Sequence, residues 1–121
     1  MIHGTVSSDG VPTITLSIAG QDWPAMIDTG FNGDLELPDA LQNIVRARHV
    51  GRVTSLLAGN QSIEEDVYLV EFPFDGQLIQ AEATFVSGSQ ILIGTHLLRE
   101  YLLQIDFVAK TLRLERREGG Q

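Results

Sequence analysis

Residues 26–33 of this chain read Met-Ile-Asp-Thr-Gly-Phe-Asn-Gly, and the tripeptide Asp28-Thr29-Gly30 occurs only once in the sequence. The apolar run Trp23–Ile27 before it is typical of a buried strand. Leu35-Glu36-Leu37 after it alternates apolar and polar residues with a period of two, and Pro38 ends that pattern. The segment therefore predicts a strand, a turn that carries Asp28, and a second strand.

The single copy of the motif has a chemical consequence. Two carboxylates that share one proton can activate water against an amide, because like charges a few ångströms apart cannot both ionise near neutral pH. One Asp-Thr-Gly supplies half of such a pair, and 121 residues are enough for one domain but too few for a two-lobed enzyme with both aspartates. If Asp28 is catalytic, the second aspartate must come from an identical chain across a two-fold axis. The sequence then predicts a homodimer built from one domain, residues 1–121.

A second segment strengthens this interpretation. Residues 91–94 read Ile-Leu-Ile-Gly, a short apolar strand stopped by glycine, and Thr95–Tyr101 after it has the composition of a short helix. In this order and at this separation, the two segments resemble the retropepsin-like aspartic protease family. Members of that family have an apolar pair before Asp-Thr/Ser-Gly, and later an apolar-apolar-Gly strand that crosses behind the catalytic loop. The resemblance spans about residues 13–107.

The resemblance implies a fold, an activity and a set of site residues. The fold is all-β, a closed barrel equivalent to half of an acid protease, with one or two short helices. The activity is that of an aspartic endopeptidase, a hydrolase without a cofactor or metal. The resemblance gives catalytic roles to the motif residues Asp28, Thr29 and Gly30. It gives the later segment, Leu92, Ile93 and Gly94, a structural role as the ψ-loop that supports the catalytic loop from behind.

The resemblance also implies which residues meet the substrate. A hairpin tip at Ala58, Gly59 and Asn60 occupies the place of the family's flap, which folds over an extended peptide. Phe31 follows the motif glycine, where the family usually has Ala or Ser beside the substrate. This loop looks more like a bacterial and archaeal branch that reads Asp-Thr-Gly-Phe-Asn-Gly, so a viral type of substrate preference is not carried over.

The rest of the chain is a series of short apolar segments separated by turn residues, which indicates an all-β domain. Alternating or apolar segments predict strands at residues 11–18, 53–57, 62–72, 78–86, 102–107 and 111–115. Leu41, Ile44 and Val45 recur at helical spacing behind Asp39, which predicts a short amphipathic helix with an aspartate cap. The last four residues, 118–121, are expected to fray.

Composition excludes several classes of function. Sixteen Asp and Glu residues stand against eight Lys and Arg residues, and this excess of negative charge argues against nucleic-acid binding. The absence of cysteine excludes disulfides and thiolate chemistry. His3, His49 and His96 lack the spacing of metal ligands, and a surface or helix-cap role is favoured for His96. Without a signal-peptide pattern or a membrane-spanning segment, the expected location is the cytoplasm.

Two other interpretations stay open at this point. The chain could be a non-catalytic retropepsin-fold module for dimerisation or peptide binding, which a damaged motif would indicate. It could also be a small β interaction module in which Asp28 merely caps a turn. The intact Asp-Thr-Gly, between two predicted strands and followed by Ile-Leu-Ile-Gly, favours the peptidase.

Overall fold

The computed structural model of the chain describes residues 1–117, and the four C-terminal residues expected to fray lie outside the described residues. Ten strands are connected mostly by short turns. In chain order they are β1 (Ile2–Val6), β2 (Pro12–Ile18), β3 (Gln21–Ile27), β4 (Leu35–Pro38), β5 (Ala47–Leu57), β6 (Gln61–Phe74), β7 (Gln77–Val86), β8 (Ile91–Ile93), β9 (Tyr101–Asp106) and β10 (Thr111–Arg116).

The strands form one sheet with the order β5-β6-β7-β4-β8-β3-β2-β1-β10-β9. Most neighbours are antiparallel. The exceptions lie at the centre, where β8 pairs parallel with β3 and β4 pairs parallel with β7. β8 also pairs antiparallel with β4, so it lies between the two strands that flank the Asp-Thr-Gly segment.

The predicted closed barrel is wrong, although the mostly β composition with few helices is confirmed. β5 and β9 lie at the two ends of the sheet and do not pair with each other within residues 1–117. Every residue of β5 and of β9 is exposed or half-buried, whereas closure of a barrel would bury residues of both strands against the core. The sheet instead folds over itself, so that β2 packs against β6.

Glycine-containing turns close two of the hairpins. Ala19 and Gly20 join β2 to β3 with φ of 54° and 77°, and Asp75 and Gly76 join β6 to β7 with φ of 52° and 78°. Two consecutive residues with positive φ are typical of a type I′ turn, whose backbone twist matches the twist of the two strands that it joins. The first of these hairpins leads the chain through β3 to Asp28.

The core lies between the folded halves of the sheet. Alternate residues along most strands point inward, and the largest side chains that are almost completely buried come from five of the strands and from Leu41, which follows β4. They include Ile14, Leu16, Ile18, Leu35, Leu37, Leu41, Val70, Phe72, Ile91, Ile93 and Leu114. Both strands next to Asp28 are thus held by packing as well as by hydrogen bonds.

Helical structure is shorter than the sequence predicts. Asp39–Asn43 forms a 3-10 helix in which Leu41 is buried, and Asp39 lies in its first turn without acting as a side-chain cap. The predicted helix over Thr95–Tyr101 is wrong, because this segment is a series of turns closed by bonds such as Leu98 N to Thr95 O (3.2 Å) and Tyr101 N to Leu98 O (2.9 Å). Only residues 94–100 separate β8 from β9, which leaves too little chain for a helix of several turns. Over residues 1–117, no helix combines the length and the apolar character needed to cross a bilayer.

Candidate active site

The motif aspartate lies just beyond the end of a central strand. β3 ends at Ile27, and β3 lies between β2 and β8. The backbone N–H of Asp28 donates a 2.9 Å hydrogen bond to the carbonyl oxygen of Ile93, the last residue of β8. Two strands therefore fix the start of the segment of residues 28–34, called here the motif loop.

The side chain of Asp28 closes a turn on itself. Its Oδ1 accepts a 2.9 Å hydrogen bond from the backbone N–H of Gly30, and its carbonyl oxygen accepts one of 3.1 Å from Phe31 N–H. A Cβ atom at Gly30 would lie 3.3 Å from Asp28 Oδ1, so the glycine leaves room around the carboxylate. Asp28 is half-buried, while Thr29 and Gly30 are exposed. The carboxylate is thus oriented by its own loop and still accessible from outside.

The turn after β8 runs along the motif loop. Residues 94–96 are called here the β8 turn. Their three backbone N–H groups donate hydrogen bonds of 3.0, 2.8 and 3.1 Å, in chain order, to carbonyl oxygens of the motif loop. Their acceptors are Asp34, Phe31 and Gly33 in that order. The structure therefore brings together the two segments that the sequence singled out, residues 28–30 and 92–94.

Two glycines make this contact close. A Cβ atom at Gly94 would overlap the carbonyl group of Gly33 and lie 2.8 Å from Cδ2 of Phe31, and a Cβ atom at Gly33 would lie 2.7 Å from Cζ of the same ring. The Phe31 ring therefore covers both glycines, and it is half-buried. Sequence reasoning missed the role of Gly33, although a second glycine soon after the motif was a signal of close backbone approach.

A groove lies between the motif loop and the hairpin formed by β5 and β6. Its cavity volume is about 410 Å³. Phe31 and Gly33 line it from the loop, Val53 and Ser55 from β5, and Glu65 from β6. This groove, called here the hairpin groove, is the space in which Phe31 meets the hairpin that carries the predicted flap.

A carboxylate that the sequence analysis did not single out lies in the same groove. Burial raises the pKa of Glu36, and the negative charges of Glu65 and Asp28 raise it further. Glu36 is half-buried between the buried Leu35 and Leu37, on the opposite face of β4. The period-two pattern of this strand was the signal that could have placed Glu36 next to the motif loop.

Asp34 ends the motif loop and is the one polar residue classed as buried among residues 1–117, with 8% of its surface exposed. Its Oδ2 accepts a 2.9 Å hydrogen bond from the backbone N–H of Glu82 in β7. Its Oδ1 lies 2.6 Å from Nδ1 of His96. The prediction of a surface position for His96 is met in part, since its side chain is 58% exposed, but the ring is held by Asp34.

The tip of the β5–β6 hairpin consists of Ala58, Gly59 and Asn60. Gly59 has φ of 78° and Asn60 has φ of 61°, both in the left-handed region. The tip is exposed, and Leu56 beside it is 83% exposed. The structure therefore places these three residues at the end of a long hairpin whose strands line the groove, and their role as a flap stays a prediction.

Solved structures of proteases share this fold. The chain is similar to a retropepsin-like aspartic protease from Rickettsia conorii, with 18% identity, a TM-score of 0.66, and coverage of 93% of this chain and 88% of that protein. The chain has the retropepsin-like fold. The solution structure of Simian Foamy Virus (mac) protease is 20% identical over 72% of this chain and 91% of the viral one, with a TM-score of 0.58.

A further neighbour with the retropepsin-like fold is the EIAV protease in complex with the inhibitor HBY-793, 17% identical over 78% of this chain and 91% of that one, with a TM-score of 0.57. No protein-family model matches the chain, and no curated protein matches its sequence. At 17–20% identity these neighbours establish the fold, so the chemistry is argued from the site itself.

The side chains that could coordinate a metal ion were compared by their positions in the fold. Among residues 1–117, no group of three or more His, Asp or Glu side chains is arranged to hold a metal ion. The carboxylate of Glu36 lines the hairpin groove together with the apolar side chains of Phe31 and Val53, and it lies near enough to Asp28 to be affected by its charge.

Proposed function

We propose that this chain, a single domain over residues 1–121, is an aspartic endopeptidase that acts as a homodimer. One observation carries the proposal: Asp28-Thr29-Gly30 follows a central strand, is tied to β8 by the Asp28–Ile93 hydrogen bond of 2.9 Å, and does so in a fold shared with solved proteases. The half-buried Asp28 carboxylate is oriented by the Gly30 N–H and open on one side.

The proposed chemistry needs two copies of Asp28. Each chain carries one motif, so a two-fold axis beside the motif loop would bring two Asp28 carboxylates together around a shared proton. One carboxylate takes a proton from water as the water attacks the peptide carbonyl, and the other, protonated, polarises that carbonyl oxygen. The exposed Thr29 would bond to the partner's loop across the axis and keep the carboxylates in plane.

The substrate is proposed to be an extended peptide in the hairpin groove. Phe31 forms part of the groove wall, and the tip at Ala58, Gly59 and Asn60 would close over the peptide as a flap. Leu92, Ile93 and Gly94 are proposed to support the motif loop from behind. Ile93 and Gly94 form hydrogen bonds with the loop, and Leu92 pairs with Met26 and Glu36 on the strands that flank it. The proposal requires no cofactor or metal.

The decisive test uses Asp28→Asn, which replaces an ionisable oxygen by an amide group of equal shape. Members of a library of fluorogenic peptides should be cleaved by the wild type and not by the variant, while circular dichroism and sedimentation should show the same fold and a dimer for both. The matched control is Asp22→Asn, because Asp22 is an exposed aspartate at the start of β3 and should leave cleavage unchanged.

Mixing the two chains tests the partner's contribution. If each site needs Asp28 from both chains, activity after subunit exchange falls with the square of the wild-type fraction. A linear fall would mean that one chain is sufficient. A wild type that dimerises and binds peptides, but cleaves none of them across acid and neutral pH, would favour the non-catalytic dimerisation or peptide-binding module instead.

A further inference from the structure

We propose that Asp34 and His96 form a clamp that positions the motif loop, and that both are positioning residues for peptide hydrolysis. The catalytic part of this inference rests on the function proposed above. The clamp itself is a statement about the loop and can be tested without cleavage.

The carboxylate of Asp34 joins three segments that are far apart in the sequence. It belongs to the motif loop, its Oδ2 accepts the N–H of Glu82 from β7 at 2.9 Å, and its Oδ1 contacts Nδ1 of His96 in the β8 turn at 2.6 Å. A carboxylate that is only 8% exposed needs such partners, because burial removes the water that would solvate its charge. The Asp34 side chain therefore has one partner on each side of the loop.

His96 holds the loop in two ways. Its N–H donates to the carbonyl oxygen of Gly33 at 3.1 Å, and its ring contacts Asp34, the next residue. The N–H of Gly94 donates to the carbonyl oxygen of Asp34 at 3.0 Å. The end of the motif loop is thus fixed to the β8 turn through backbone and side chain together, while the start is fixed by the Asp28–Ile93 bond of 2.9 Å.

The clamp also separates two cavities. Asp34 and Glu82 line the hairpin groove of about 410 Å³, and both also line a second cavity of about 470 Å³, to which His96 contributes. Without the His96 ring, the Asp34 carboxylate would be more exposed to water in the second cavity than its present 8%. Hydration of the carboxylate would compete with its bonds to the loop's neighbours, and the loop would lose its single orientation.

The consequence for the reaction follows from the geometry of the paired carboxylates. In the proposed reaction the Asp28 carboxylate must have a fixed orientation, and its Oδ1 accepts a hydrogen bond from Gly30 N–H within the same loop. A loop that samples several positions would place the two carboxylates out of register for part of the time. We therefore expect loss of the clamp to lower kcat much more than it raises KM, because the groove walls on β5 and β6 keep their positions while the motif loop on the other side does not.

The test compares His96→Leu with His96→Asn in the full chain. Leucine removes the ring nitrogen, whereas the Nδ2 of asparagine can take the position of the histidine Nδ1 and donate to Asp34. The matched control is His49→Leu, because His49 also contacts an aspartate, Asp66, at 3.0 Å, but both side chains of that pair are about half exposed (51% and 49%).

The first readout is amide hydrogen exchange at Glu82, Gly94 and Gly30. In His96→Leu all three should exchange roughly tenfold faster or more, the effect expected when a buried carboxylate loses one of its two partners. His96→Asn should restore wild-type exchange, and His49→Leu should not change it. Gly30 is the informative amide, because it reports the Asp28 carboxylate at the opposite end of the loop.

The second readout is peptide cleavage, with kcat reduced about tenfold in His96→Leu, KM within about twofold, and recovery in His96→Asn. Unchanged exchange at Gly30 in a folded His96→Leu chain would overturn the clamp. Faster exchange with wild-type kcat would overturn the positioning role. If the wild type cleaves no peptide, the proposed function fails, and the exchange measurements still decide whether the clamp holds the loop.

Discussion

The substitution Gly94→Ala tests whether the close contact between the β8 turn and the motif loop stabilises the fold. The added methyl group would overlap the backbone carbonyl of Gly33 and lie 2.8 Å from the Phe31 ring. A backbone group cannot rotate away as a flexible side chain can, so the loop and the turn must separate. Overpacking of this kind costs about 1–3 kcal/mol.

The separation should also weaken the 3.0 Å hydrogen bond from Gly94 N–H to Asp34 O. Such a bond contributes about 1 kcal/mol. Together the two effects predict a loss of about 2–4 kcal/mol, a large part of the roughly 5–15 kcal/mol by which a domain is stable. At a slope of about 2 kcal/mol per molar urea, the middle of the usual range, the unfolding midpoint should fall by about 1–2 M.

The assay is urea unfolding followed by circular dichroism at one fixed protein concentration. Gly51→Ala is the matched control, since a Cβ atom at Gly51 meets nothing within 4 Å and Gly51 is not among the glycines with positive φ. It should change the free energy of unfolding by less than about 1 kcal/mol, in the stabilising direction. A Gly94→Ala chain as stable as the Gly51→Ala chain would refute the inference that the two backbones are pressed together.

Two further predictions concern pH and access. The pKa of Glu36 is higher in the folded chain than in the unfolded one, so folding favours its protonated form, and the stability that it contributes is lost as the pH rises through the folded pKa. Glu36→Gln should therefore raise the free energy of unfolding at neutral pH by less than about 1 kcal/mol. It should have no effect at a pH below the pKa values of Glu36 in the folded and the unfolded chain. Equal stabilisation at neutral and at acidic pH would contradict this. Gly59→Val should slow the cleavage of long peptides, because a β-branched residue strains the backbone at φ of 78°, whereas Gly59→Asn should retain turnover, because asparagine tolerates that conformation. Equal kinetics of the two Gly59 variants would show that the tip is not a flap.

Local signals were enough to predict the strands that flank Asp28 and the β8 strand that supports it. Each of these signals lies within a few neighbouring residues of the sequence. They are the alternation in β2 and β4, the apolar run before Asp28, and the glycines at hairpin turns. The turn over Asp75 and Gly76 is a clear case, because Asp-Gly between two apolar strands prefers positive φ at both positions. For the same reason the motif loop could be placed before the fold was known.

Long-range contacts explain what the sequence did not reveal. Residues 95–100 have helical composition, but the N–H groups of the β8 turn bond to the motif loop and Tyr101 must enter β9. Whether a barrel closes depends on whether the first and last strands of the sheet pair with each other. No local pattern in β5 shows that it is an edge strand. The Asp34–His96 contact joins residues 62 positions apart, so neither residue signals the other.

The position of β8 between β3 and β4 also sets the order in which the chain can assemble. β3 and β4 are made early and lie close together in the sequence, yet the hydrogen bonds that fix the start and end of the motif loop come from Ile93 and Gly94. Contacts between distant segments form slowly, because a long stretch of chain must close before they are gained. The motif loop is therefore completed only after most of the chain has been synthesised, so that a half-made chain carries the Asp-Thr-Gly residues without the hydrogen bonds that fix both ends of their loop.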